Sequence, residues 1–95
     1  MNNITVEQIN GIWEFQEDLR ISLIADRKLI MYNESKEAYL YVYNCEGDKD
    51  SYHFKLFNCD DINISGDNLS FERAIQYTST STGMNRNTLL NELMK

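Results

Sequence analysis

The stretch that decides the fold is "AYLYVYNCEGDKDSYHFKLFN", residues 38 to 58. Two runs of aromatic, branched and long apolar residues flank a polar segment containing Gly47. Side chains alternate across a strand, so each run divides into two faces. With a turn centred on Gly47–Asp48–Lys49, Leu40 faces Leu56 and Val42 faces Phe54. These four form one apolar face, assigned to the core. The other face carries Tyr39, Tyr41 and Tyr43 beside Phe57, Lys55 and His53. A one-residue slip would exchange the two sets, so the segregation fixes the pairing. The reading is an antiparallel hairpin.

The same hairpin bears on the chemistry of the chain, because residues 44 to 61 hold both cysteines and the single histidine. Cys45 falls beside the turn and Cys59 beyond the far end of the partner strand. A disulfide needs Cα atoms within about 7 Å, so the two thiols are expected to stay free, as small buried apolar groups. Zinc needs about four clustered ligands, which this spacing does not supply. Asp48-Lys49-Asp50 begins like a calcium loop but has neither its central glycine nor its closing glutamate. No metal or cofactor is expected. Cys45 and His53 share a face yet are expected to be separated along the pair, with nothing to orient the imidazole. His53 is then a surface histidine, and the chain is not expected to be an enzyme.

Outward from the hairpin, the pattern continues. "ITVEQIN" resembles a short helix capped by Thr5 and stopped by Gly11, giving an N-terminal helix within residues 1–11. "IWEFQ", "RISLIAD", "KLIMYN", "INIS" and "NLSFERAIQY" read as further strands. In the last of these, Leu69, Phe71, Arg73, Ile75 and Tyr77 alternate onto one face. The β-region spans residues 12–77, "TSTSTG" begins a polar linker over 78–84, and residues 85–95 form a C-terminal helix with Leu89 and Leu93 on one stripe. The expected fold is all-β: an antiparallel meander of about six or seven strands, curled into a small barrel that hides its edges, with a short helix at each end of one domain.

The chain has 95 residues, with 15 Asp and Glu against 9 Lys and Arg, a net charge of −6. This balance opposes direct binding of nucleic acid and of anionic membranes. It suits a protein partner with a basic surface. No apolar run spans a bilayer and the first residues lack the features of a signal peptide, so a cytoplasmic location is expected.

The features that suggest binding are the aromatic stripe and the acidic turns. Tyr39, Tyr41, Tyr43 and Phe57, with His53 and Lys55, make a partner surface of the kind tyrosines favour. The open alternatives are cover by the C-terminal helix and simple cross-strand packing. Glu46, Asp48 and Asp50 share one turn, Asp60 and Asp61 another, and Asp67, in the turn-like run "SGDN", a third. Gathered on one rim they would extend that surface; dispersed, they are solvated turns. A homodimer through the tyrosine face also fits this pattern.

"GIWEF" after a short helix resembles the opening of a lipocalin-like (calycin) barrel, with Gly11 and Trp13 in the places of that family's G-x-W motif. The resemblance implies a barrel with Trp13 plugging its closed end and Arg73 packing over it from the last strand. The chain is shorter than the family's ligand-binding members. In overall type it is similar to small acidic phage-encoded inhibitors such as anti-CRISPR proteins. The functional expectation is a non-catalytic protein-binding module, an acidic inhibitor of a nucleic-acid-handling complex. The alternative is a miniature lipocalin-like binder of a small apolar ligand.

Overall fold

The computed structural model describes residues 5–17, 27–45 and 47–94. They form one antiparallel sheet in the order β1-β2-β3-β4-β5, followed by two helices. The strands are β1 (Trp13–Phe15), β2 (Lys28–Asn33), β3 (Ala38–Cys45), β4 (Asp48–Phe57) and β5 (Asn63–Leu69); the helices are α1 (Phe71–Thr82) and α2 (Arg86–Leu93).

The β3–β4 register follows the apolar pattern: Leu40 faces Leu56, Val42 faces Phe54, and Tyr39, Tyr41 and Tyr43 face Phe57, Lys55 and His53. Leu40, Val42, Phe54 and Leu56 are all buried. Each such side chain contributes about 1.5–3 kcal/mol on leaving water. Trp13, Leu29 and Met31 extend this face, and Ala74, Ile75, Leu89 and Leu93 of the helices close over it.

The sheet stays open and does not curl into a barrel. Two helices seal its inner face, so closure is not needed to bury it. Among the described residues the sheet has five strands, against the six or seven expected of the chain. The expected strand "RISLIAD" falls in residues 18–26, outside the described residues.

The run read as a last strand and a linker is α1. Ser70 caps it, its hydroxyl accepting from Arg73 N–H at 3.2 Å, and Gly83 ends it at φ 71°. Ala74, Ile75, Thr78, Ser81 and Thr82 form its buried stripe, at helical rather than strand spacing. The polar run 78–82 tolerates burial because Thr78 and Thr82 donate to the carbonyls of Ala74 and Thr78, both at 2.8 Å. The strand-face grouping of Arg73 with Ile75 is thereby corrected: Arg73 lies exposed in the first turn of α1 and does not come from a strand.

The expected N-terminal helix is also absent. Residues 5–12 contain no helix, and residues 1–4 lie outside the described residues. The segment is held from outside instead. Ile9 N–H donates to the Ser81 carbonyl at 2.8 Å, and Trp13 Nε1 donates back to the Ile9 carbonyl at 3.0 Å. Those bonds use backbone groups that a short helix would have kept for itself, and a helix of about two turns is marginal alone. Trp13 packs into the core beneath the helices, with no barrel end to plug. The C-terminal helix does form, with Asn85 as its cap and Leu89 and Leu93 buried. Among the described residues, no helix is long and apolar enough to cross a membrane.

Candidate functional site

Both helices pack on the Leu40–Leu56 face, and the aromatic stripe lies on the opposite face of the sheet. Tyr32 joins it from β2, directly across from Tyr39. The rings make a connected patch. Tyr39 lies 4.7 Å from Tyr32 and 5.8 Å from Phe57, and Tyr41 meets Phe57 edge-on at 5.4 Å, centroid to centroid. Tyr43 lies against the His53 ring at 5.0 Å. Lys55 is exposed, whereas the tyrosines and Phe57 are half-buried. These ring contacts are cross-strand pairs, so the patch is held by the same register that fills the core.

The acidic turns do not gather on one rim. Successive turns of a meander alternate between the two ends of the sheet. Asp48 and Asp50 sit at the β3–β4 tip; Asp60 and Asp61 sit at the other end, sharing a groove with Glu34 and Glu37 of the β2–β3 turn. Asp48 folds back on its own turn, its carboxylate accepting from Asp50 N–H at 3.0 Å. Glu46 lies outside the described residues.

The histidine and the cysteines differ most from the sequence reading. Cys45 Sγ lies 3.1 Å from His53 Nε2, and His53 Nδ1 lies 2.6 Å from an Asp67 carboxylate oxygen. Cys45, two residues on from Tyr43 in β3, is the diagonal neighbour of His53. Such positions are about 7–8 Å apart at Cα, within reach of an imidazole. The register shift between Asn44 and Cys45 lies at this point. Ser51 Oγ is 3.4 Å from the same sulfur and donates to Asn68 Oδ1 at 3.3 Å.

Asp67 arrives by an irregularity in β5. The β4–β5 register changes between Tyr52 and Phe54, so both Asp67 and Asn68 fall opposite His53, and Asn68 adopts φ 55°. A bulge of this kind re-aims a side chain. Here it turns the Asp67 carboxylate onto the imidazole. The shared face of Cys45 and His53 was expected, but not their contact: the two were expected to stand apart along the pair, and the side chains meet at 3.1 Å. The arrival of Asp67 was not expected either, because "SGDN" reads as a turn.

A carboxylate on Nδ1 places the proton there, leaving the Nε2 lone pair toward the thiol. Each imidazole nitrogen thus serves a different neighbour, which is the geometry of a proton relay rather than of ligands converging on one ion. Among the described residues, no group of three or more His, Cys, Asp and Glu is arranged to hold a metal. Neither thiol is a buried apolar group as expected: Cys45 is half-buried and Cys59 is exposed, and both are free.

No family model, curated protein or solved structure matches this chain.

Proposed function

We propose that the chain is a protein-binding module that docks a basic partner through the aromatic face of its sheet, an inhibitor of a nucleic-acid-handling complex. The observation that carries this reading is the connected patch of Tyr32, Tyr39, Tyr41 and Phe57 on the sheet face opposite both helices. Rigid amphipathic rings give contact area at low entropic cost, and Lys55 and His53 supply polar handles beside them. The net charge of −6 favours a partner of opposite sign. The alternative, a binder of a small apolar ligand, draws less support. The inner face of the sheet is filled by side chains, and the groove beside Glu34 and Asp60 is lined mainly by polar residues.

Affinity capture with the wild-type chain and with the double variant Tyr39→Ser/Phe57→Ser tests the reading. The wild type is expected to retain a basic nucleic-acid-binding protein that the variant releases, with circular dichroism showing both folded. Equal retention by the two chains, or recovery of a small metabolite alone, overturns it. Sedimentation equilibrium distinguishes the homodimer.

A further inference from the structure

We propose that Cys45 is a nucleophile activated by His53, that Asp67 is the residue positioning that imidazole, and that the site accepts an acyl group from an activated ester or thioester. This goes beyond the docking reading and stands without it.

The three side chains come from three adjacent strands and meet on one face of the sheet. Thiol, imidazole and carboxylate follow at 3.1 Å and 2.6 Å, so the imidazole is placed to take the thiol proton while the carboxylate holds the opposite ring nitrogen. The imidazole is the stronger of two acceptors competing for the thiol proton, since Ser51 Oγ lies farther away at 3.4 Å. His53 is partly open to solvent and Asp67 more so, with side-chain exposures of 27% and 64%, so a substrate can reach the relay. Two backbone features maintain it: the register shift at Cys45 on one side, and the β5 bulge with Asn68 at positive φ on the other. Bulges and positive-φ residues concentrate at functional sites.

The chemistry follows from those atoms. The Cys45 proton passes to His53 Nε2. The sulfur electron pair forms a bond to the acyl carbon, and the bond from that carbon to the leaving oxygen or sulfur breaks. The leaving group takes its electron pair and then the proton from Nε2. The products are a Cys45 thioester and a free alcohol or thiol, with Asp67 still accepting from Nδ1–H. No oxidant is needed. Disulfide exchange suits the site less well, because Cys59 lies beyond the far end of β4, roughly 20 Å or more away at about 3.3 Å per strand residue. The Tyr43 ring beside His53 offers an apolar wall for the acyl chain.

The molecule contains its own control. Cys59 is exposed, and the single histidine is at Cys45. With 4-nitrophenyl acetate near neutral pH, peptide mapping is expected to find acetyl on Cys45 well before Cys59, with 4-nitrophenolate released in step. His53→Gln is expected to slow acetylation of Cys45 by about 100-fold, the scale of a positioned general base. Nitrogen NMR of the one imidazole is expected to show the Nδ1–H tautomer, and Asp67→Asn to move it toward Nε2–H while slowing acetylation. The two wild-type measurements do not depend on any variant folding. Acetyl appearing on Cys59 as fast as on Cys45, a Cys45 rate unchanged in His53→Gln, or a wild-type imidazole protonated on Nε2 overturns the proposal.

Discussion

The side-chain amide of Asn33 donates to the backbone carbonyl of Asn10 at 3.0 Å, tying the N-terminal segment to the end of β2. Asn33 is fully buried, and its amide oxygen accepts from Ser35 Oγ at 2.8 Å and Lys36 N–H at 3.2 Å. One amide therefore organises both the β2–β3 turn and the strand entering β1. Losing it leaves buried partners unsatisfied, at about 1–3 kcal/mol.

The neighbouring Gly11 sits over this junction at φ 120°, and an added Cβ would stand 2.5 Å from Ser35 Oγ and 2.8 Å from the Asn33 amide. Gly11→Ala is expected to lower stability by about 1–3 kcal/mol, from backbone strain and displacement of Asn33. The urea midpoint reports it. Asn33→Ala should cost a comparable amount, and the double variant less than the sum of the two, because both disturb one contact.

Glu37 closes the β2–β3 turn at φ 51°, where its Cβ is crowded, and its N–H donates to the Glu34 carbonyl at 3.2 Å. Its side chain is exposed. Glu37→Gly is expected to raise stability by about 0.5–1 kcal/mol, the relief of left-handed strain exceeding the added freedom of the unfolded chain. Glu37→Ala keeps the strain and should show no such gain. Thermal melting of the three chains separates the cases.

Within α1, Ser81 is fully buried and, among the described residues, its hydroxyl finds no partner. Ser81→Ala removes the unpaired oxygen with little change of shape. An increase in stability of about 1 kcal/mol is expected, seen as a raised melting temperature. No change would mean that the hydroxyl is satisfied in solution.

The Tyr32 phenol is held above its ordinary value of 10.0, first because desolvation penalises the phenolate, then through Tyr39, Glu37 and Glu34. The sign follows from linkage. Below about 10 the phenol is protonated in both states and its contribution is complete. As the pH rises from about 10 toward the folded value, the unfolded chain releases the proton first and stability falls. Denaturation midpoints measured through this range should drop less steeply for Tyr32→Phe than for the wild type. Equal slopes would show that Tyr32 is unperturbed.

The sequence is most informative where one face is buried and strand pairing is local. In β3 and β4 the alternation of Leu40, Val42, Phe54 and Leu56 against tyrosines specifies the register, and the structure has that register. It is least informative where two periods coincide. Leu69, Phe71, Ile75 and Tyr77 satisfy a two-residue repeat, yet Phe71, Ala74, Ile75, Thr78 and Thr82 satisfy a helical one. The signals that decide between them are Ser70 before the run and Gly83 after it. The threonines mislead because their hydroxyls, read as polar, are satisfied inside the helix. At the candidate site, the diagonal placement of Cys45 and His53 follows from the register. Asp67 is not legible, because "SGDN" has the composition of a turn, whereas β5 runs straight through it.

The β5 bulge touches both the site and the core. Beyond Asp67 the extra residue resets the alternation of β5, so Leu69 pairs with Tyr52 and is buried when simple counting would send it outward. Deleting Asn68 would leave Gly66, Asp67 and Leu69 one-to-one opposite Phe54, His53 and Tyr52, so Leu69 would stay inward and Asp67 would stay on the face of the imidazole, without the bulge that aims it. A one-codon loss there would spare the buried alternation and fall on the carboxylate alone, separating what the core requires of this strand from what the imidazole requires of it.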